Sequence, residues 1–117
     1  MPAGQSDGQV QLKEATMTEV YASGNWTAAA GKEDEFLARW LEFEEFSSTA
    51  NGLRWMAHMQ DDTIPRHFVS VLCWESAEIR DTWKQKKDFV DRLMACRDLC
   101  EEFYGGDYSP VGQHNRA

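Results

Sequence analysis

Side chains capable of acid-base chemistry share one face of a short alternating segment, residues 53–60. If this segment is a β-strand, its alternation puts four side chains on one side: Arg54, Met56, His58 and Gln60. His58 is the best general-base candidate among them, because an imidazole titrates near neutral pH. That role requires the face to border a ligand cavity, and the alternative is a hydrogen-bonded or surface histidine. The other three and Tyr21 are candidate substrate contacts, and His67 is a weaker base candidate.

A second polar position lies in the stretch "ASGNWTAAAGKEDEF", residues 22–36, where Asn25 precedes Trp26. An amide that faces a cavity could donate a hydrogen bond to a phenolate or carbonyl oxygen, which is worth roughly 3 kcal/mol. The alternative is an amide that is satisfied by a sheet edge or a turn. If the strand is regular, Asn25 and Trp26 point to opposite faces, so only one of them can line a given cavity.

The overall composition excludes several classes of function. The chain has 117 residues, enough for one domain, and a net charge of −8, which argues against binding to nucleic acid or an anionic membrane. Its three cysteines form no disulfide framework and are expected to be small buried residues. The N-terminal residues lack the pattern of a secretory signal and no apolar run is long enough to span a bilayer, so we expect a cytoplasmic protein.

Periodicity divides the chain into an N-terminal arm at 1–17, a folded domain at 18–112 and a tail at 113–117. Within the domain, alternation predicts strands over 19–27, 53–60 and 67–75, and a last strand within 103–112 that is bulged or at a sheet edge. Apolar steps of three and four predict a helix from "KEDEF" that is closed by Asn51-Gly52. A second helix begins after Ser76 as N-cap, and the cationic "KQKKD" predicts a break at 84–88.

The resulting order, β-α-β-β-α-β, predicts an α+β protein of ferredoxin-like fold, with an antiparallel sheet and helices on one face. The short connection between the second and third strands predicts an antiparallel hairpin. The other sheet face would carry too many apolar and aromatic groups to remain in water. We therefore expect a homodimer in which two sheets face each other and enclose a cavity.

The element order, with "AAGKEDEF" after the first strand and "FVSVLCWESAEIRDTW" further along, resembles the antibiotic biosynthesis monooxygenase family of dimeric α/β-barrel proteins. The resemblance covers residues 18–112. It implies a cavity lined by an asparagine of the first strand and a tryptophan early in the second helix, which correspond to Asn25 and Trp83. For Trp83 the alternative is a core residue on an apolar helix stripe. Haem-degrading members place an iron-ligating histidine nine or ten residues after that tryptophan, where this chain has Arg92 and Leu93.

The function implied by the resemblance is a monooxygenase that needs no cofactor and oxidises a small aromatic or polyketide-type substrate with O₂. A base would deprotonate an activated C–H, the carbanion would reduce O₂, and the resulting peroxide would collapse to a quinone and water. Asn25, Trp83 and His58 are the predicted catalytic residues. Two alternatives stay open: a cofactor-free cyclase or isomerase on the same fold, and a non-enzymatic protein that binds an aromatic ligand or haem.

Overall fold

A computed structural model describes residues 19–114 of the chain. In chain order the elements are β1 (Val20–Ala28), α1 (Glu33–Ser47), β2 (Leu53–Gln60), β3 (His67–Trp74), α2 (Ala77–Lys84), α3 (Lys87–Arg97) and β4 (Cys100–Tyr108). The strands form one antiparallel sheet in the order β2-β3-β1-β4. The predicted ferredoxin-like fold is confirmed, including the β2-β3 hairpin and the edge position of the last strand. The predicted arm at 1–17 lies outside the described residues.

The helices cover one face of the sheet, and the core lies between them and the strands. Alternate residues of β1 point into this core, so that Trp26 is almost fully buried. Trp26 lies beside Phe68 of β3 and Phe103 of β4 in the strand register. Phe36 and Trp40 of α1 pack against the Trp26 ring from above. The prediction that Asn25 and Trp26 point to opposite faces of the sheet is therefore confirmed.

The first helix begins where the sequence predicts and ends earlier. Glu33, Asp34 and Glu35 occupy the first turn of α1, where the helix dipole favours negative charge. The helix ends at Ser47, not at Asn51-Gly52, so the predicted closure was wrong. Gly52 instead has φ of 94° in the turn that leads into β2, a conformation that favours glycine.

The predicted break in the second helix is confirmed, since α2 ends at Lys84 and α3 starts at Lys87. Ser76 caps α2, because its side-chain oxygen accepts a hydrogen bond from the Ile79 backbone N–H. None of the helices within residues 19–114 has the length and apolar character that crossing a bilayer requires.

The three cysteines are free thiols. Cys73 and Cys96 are buried and Cys100 is half-buried, which agrees with their expected role as small core residues. Burial raises the pKa of Cys96 to about 12 and that of Cys100 to about 11. Both thiols are therefore protonated at neutral pH, and the thiolate is the nucleophilic form.

The opposite face of the sheet has no covering element among residues 19–114; we call it the bare face. Its residues alternate with those of the core and follow the strand register across the sheet. Several large apolar side chains are exposed there: Trp55, Met59, Tyr104 and Tyr108.

Candidate functional site

A cavity of about 240 Å³ lies between the sheet and the helices, within a single chain. Most of its wall is apolar and aromatic. From the strands, the main contributors are Trp26, Leu72, Trp74 and Phe103, and from the helices Trp40, Phe43, Phe89 and Leu93. Such walls suit a flat apolar ligand, since ligand pockets are mostly apolar with a few placed polar groups.

Two glycines that face each other across neighbouring strands leave this space open. Gly24 of β1 pairs with Gly105 of β4, and both line the cavity. A Cβ at Gly24 would lie 2.7 Å from Nε1 of Trp26 and 3.0 Å from Oγ of Ser70. A Cβ at Gly105 would lie 2.8 Å from the Phe103 ring. The floor of the cavity therefore exists because these two positions carry no side chain.

The indole groups in the wall differ in their hydrogen bonding. The Trp26 N–H donates to Oγ of Ser70 at 3.1 Å, which fixes the orientation of that ring. The N–H groups of Trp40 and Trp74 are buried and have no hydrogen-bond partner within residues 19–114. A buried unpaired donor is costly, so a polar atom that reached either group would gain a favourable partner.

An ionic cluster forms one end of the cavity. Lys84 at the end of α2 and Asp107 of β4 both line it, and Nζ of Lys84 lies 2.5 Å from Oδ1 of Asp107. Arg80 is buried behind this pair, with its Nε 3.9 Å from the same Oδ1. Arg80 is held in turn by Asp81 and by the backbone carbonyl of Tyr21, to which its Nη1 donates at 3.2 Å.

Asn25 does not line this cavity, because β1 is regular there and turns its side chain to the bare face. Oδ1 of Asn25 lies 3.3 Å from Nε2 of His67, and Nδ1 of His67 lies 3.0 Å from Oδ2 of Asp61. The hydrogen bond from His67, followed by those from the backbone N–H groups of Thr63 and Ile64, lowers the pKa of Asp61 to about 2.

His58 lies on the helix side of the sheet, packed within the aromatic core. Its ring stacks on Trp40 at 3.9 Å and on Phe68 at 5.3 Å, and neither ring nitrogen has a partner within the described residues. Burial lowers its pKa to about 4, so the ring is neutral at pH 7. His58 contacts a wall residue of the cavity, Trp40, without lining the cavity itself.

Trp83 packs on the outer part of the core. It stacks on Phe46 of α1 at 4.9 Å and lies 6.3 Å from Trp74. Nζ of Lys86 lies 5.6 Å from the ring centroid, a cation–π distance. Trp74 lines the cavity and Trp83 does not. The three predicted catalytic residues are therefore not brought together around this cavity.

The predicted substrate contacts are also dispersed. Tyr21 lies on the bare face, 6.2 Å from Trp55, and burial together with Cys73 and Glu19 raises its pKa. An irregularity in the β2-β3 register falls between Leu53 and Trp55, which leaves Arg54 exposed, with its Nε 3.7 Å from Glu19.

From Trp55 onward β2 alternates as predicted. Met56 packs against the core, whereas Gln60 is exposed and its side-chain amide donates to the carbonyl of Pro65 at 2.8 Å. Neither residue lines the cavity.

The cavity thus lies on the opposite side of the sheet from the enclosed space expected between two subunits. Trp26, Lys84 and Asp107 line it, and none of them was among the predicted site residues. Alternation in "FYGGDY" could have placed Asp107 and Gly105 on one face with Phe103. Within residues 19–114, no group of three or more His, Cys, Asp or Glu side chains is arranged to hold a metal ion.

Solved structures share this fold along most of the chain. SnoaB from Streptomyces nogalater, described as a cofactor-independent oxygenase, is 16% identical with a TM-score of 0.74, over 82% of this chain and 96% of that one. A conserved protein from Methanosarcina mazei Go1 is 13% identical with a TM-score of 0.76, over 83% and 97%. A Deinococcus radiodurans protein named after the monooxygenase family is 15% identical with a TM-score of 0.75, over 84% and 98%. At these identities the likeness establishes the fold.

No curated protein matches the sequence. The family model for antibiotic biosynthesis monooxygenases matches residues 19–91, which run from the start of β1 into α3 and make up more than half of the chain. The chain therefore belongs to the antibiotic biosynthesis monooxygenase family.

Proposed function

We propose that this protein is a cofactor-independent monooxygenase that oxidises a small aromatic substrate with O₂ inside the cavity of each chain. The observation that carries the proposal is an aromatic-walled cavity with a single ionic end, in a member of this family. The shared fold with a protein described as a cofactor-independent oxygenase supports the same reaction class.

The size and lining of the cavity favour a flat ligand of more than one ring. A cavity of about 150 Å³ lined by apolar side chains holds benzene, and this one measures about 240 Å³. The rings of Trp26, Trp40 and Phe103 offer faces and edges for stacking, which adds to the free energy of area burial.

In the proposed reaction the substrate loses a proton from an activated carbon, and the carbanion passes electrons to O₂. Recombination gives a peroxide, which eliminates water and leaves a carbonyl group on the ring. One oxygen atom of O₂ enters the product and the other leaves as water. The protein contributes orientation, exclusion of water and stabilisation of negative charge.

We also propose that the working form is a homodimer assembled through the bare face. Trp55, Met59 and Tyr104 expose about half of their surface or more there, at 49%, 47% and 67%. Apolar patches of this kind on a small domain mark association surfaces. A second copy of the same sheet would bury them by self-complementary packing.

The predicted catalytic roles of Asn25, Trp83 and His58 remain predictions that variants can test separately. The three residues lie in different places relative to the cavity, so each would affect activity in a different way. Trp83 and His58 would act through wall residues that they contact, Trp74 and Trp40 respectively. Asn25 would act from the bare face.

The experiment is oxygen uptake with anthrone and smaller phenolic substrates, measured on the wild-type protein and on Leu93→Trp. Leu93 lines the cavity from α3, and the larger side chain would fill the space a substrate needs. Leu41→Trp is the matched control, because Leu41 is 61% exposed on the outer side of α1. Circular dichroism and thermal melting would verify that both variants are folded.

We expect uptake to fall at least tenfold in Leu93→Trp and to be unchanged in Leu41→Trp. Product formation from the same substrates without O₂ would instead indicate a cyclase or isomerase. Absence of uptake across the substrate set, or equal uptake in both variants, would contradict the proposed function.

A further inference from the structure

We propose that Lys84 and Asp107 form the acid-base pair of the cavity. Lys84 would hold the substrate oxygen as it becomes an oxyanion, and Asp107 would accept the proton. This inference rests on the proposed function, because it assigns residues to the proton transfer that precedes the reaction with O₂.

The first support is the composition of the wall. Among the described residues that line the cavity, Lys84 and Asp107 carry the only ionisable side chains. The remaining polar members are serines and indoles, which do not act as bases at neutral pH. A proton taken from a ligand inside this cavity therefore has Asp107 as its nearest acceptor.

The second support is the geometry of the pair. Within residues 19–114, the ion pairs of Asp107 with Lys84 and with Arg80 both involve Oδ1. Neither ion pair occupies Oδ2, so this oxygen would be the one to accept the proton. The Lys84 ammonium has three donors, and the contact with Asp107 uses one of them.

The pair also provides a charge balance for the step. When Asp107 takes the proton it becomes neutral, and the attraction that holds Lys84 to it weakens. The positive charge of Lys84 is then available to the oxyanion that has formed on the substrate. Arg80, anchored on the Tyr21 carbonyl and on Asp81, keeps the Asp107 carboxyl in place.

The position of the pair sets the orientation of the substrate. The side chains of Lys84 and Asp107 are 32% and 38% exposed, whereas the walls formed by Trp26, Trp40 and Trp74 are buried. The ionic end is therefore the end that reaches solvent. A substrate would enter with its apolar rings toward the tryptophans and keep its oxygen at the ionic end.

The proton balance closes with O₂ as the oxidant. Asp107 removes one proton from the activated carbon, and the electron pair of the C–H bond delocalises onto the substrate oxygen beside Lys84. After the carbanion and O₂ combine, Asp107 returns that proton to the peroxide. Loss of the second proton from the same carbon, with cleavage of the O–O bond, gives the ketone and one water.

The test is hydrogen–deuterium exchange of 2-tetralone in D₂O without O₂, followed by NMR. Exchange at the activated methylene reports the proton transfer alone and requires no oxygenation. We expect the wild-type protein to accelerate exchange over buffer. In Asp107→Asn the exchange rate should fall about a hundredfold, which is within the range for loss of a general base. In Lys84→Met the rate should fall by a similar factor, whereas Lys84→Arg should retain most of it.

Lys87→Met and Asp91→Asn are the matched controls. Lys87 and Asp91 form an ion pair of the same residue types at 2.6 Å on the exposed side of α3. We expect both controls to exchange at the wild-type rate. No acceleration by the wild-type protein, or wild-type exchange in Asp107→Asn, would overturn the inference.

Binding of 2-naphthol by calorimetry above its pKa separates a chemical role from a structural one. Lys84→Met should weaken binding of the anion about tenfold, because its counter-charge is gone. Asp107→Asn should strengthen binding, because Lys84 loses its competing partner. Weakening by both substitutions would indicate that the pair only supports the fold and would overturn the inference.

The two proposals fail in different ways. Exchange that depends on Asp107 with no oxygen uptake would refute the proposed function and support the acid-base pair. Oxygen uptake with exchange that is independent of both residues would support the proposed function and refute the pair.

Discussion

The two faces of the sheet differ in what their side chains contact. On the helix face, Trp26 packs between α1 and its strand neighbours, next to a cavity. On the bare face, Asn25 of the same strand joins His67 and Asp61 in a hydrogen-bonded chain at the surface. Polar residue types alone therefore do not locate the cavity, which lies on the face of Trp26 and not on the face of Asn25.

Aromatic residues on the two faces also differ in what covers them. Trp26, Trp40 and Trp74 are covered by other residues of the same chain. Trp55 and Tyr104 remain exposed. Substitutions on the helix face should therefore change the stability of the chain, whereas those on the bare face should change association between chains.

The largest expected effect is on the helix face. Trp40→Ala removes a buried ring that contacts Trp26 and His58, and should lower the free energy of unfolding by about 3–5 kcal/mol. Leu41→Ala, at the exposed neighbouring position, should change it by less than about 0.5 kcal/mol. Urea unfolding measures both. Similar losses at the two positions would remove the distinction between core and surface on α1.

On the bare face, the double substitution Trp55→Glu and Met59→Glu should prevent dimerisation while each chain stays folded. Placing charges in a buried apolar interface should raise the dimer dissociation constant by about a hundredfold, equivalent to roughly 2.7 kcal/mol. Sedimentation velocity reports the change, and Leu41→Glu is a control at an exposed apolar position elsewhere. A wild-type chain that is already monomeric at micromolar concentration would refute the proposed dimer.

A smaller effect is expected from filling the floor of the cavity. In Gly24→Ala the new Cβ would crowd Nε1 of Trp26 and Oγ of Ser70, so the hydrogen bond between them should break at a cost of about 1–3 kcal/mol. Affinity for 2-naphthol should fall in the same variant. Gly112→Ala is the control, because a Cβ there meets nothing within 4 Å. Unchanged stability and affinity in Gly24→Ala would show that the floor is not tightly packed.

The pH dependence of stability tests whether His58 is buried as a neutral ring on the helix face. The pKa of His58 is about 4 in the folded chain against a model-compound value of 6.5, so the unfolded chain binds the proton first as pH falls. Its contribution to stability is complete above pH 6.5 and is lost progressively between pH 6.5 and about 4. His58→Phe, which keeps an aromatic ring on Trp40, should flatten this decline.

His114→Gln is the control for that measurement, because His114 is exposed near the end of the described residues. Urea unfolding at a series of pH values provides the data. A decline of equal steepness in wild-type protein and His58→Phe would show that His58 is not buried as a neutral ring.

The sequence predicted the fold well, because periodicity determines which residues an element buries. The alternation of β1 correctly predicted that Trp26 and Asn25 lie on opposite faces of the sheet. Ser76 and the "KQKKD" segment correctly marked the start of α2 and its break from α3. The end of α1 was wrong because Asn51-Gly52 serves the turn into β2 instead.

The site was harder to predict, because a cavity arises from side chains that are absent. Gly24 and Gly105 leave the space, and only the β1-β4 register brings them opposite each other. The pairing of Lys84 with Asp107 depends on how the end of α2 lies against β4. No local sequence pattern predicts that arrangement. His58 was predicted as a general base because an imidazole titrates near neutral pH. Its burial as a neutral ring depends on stacking with Trp40 and Phe68, which come from other elements.

The most direct test of the central claim, that ligand chemistry belongs to the helix face, is a crystal structure with 2-naphthol bound. We expect one ligand in each chain, between the sheet and helices α1 and α3, with its rings against Trp26 and Trp74 and its oxygen at Lys84. A ligand held between the sheets of two subunits, in contact with Asn25 and Tyr104, would contradict it.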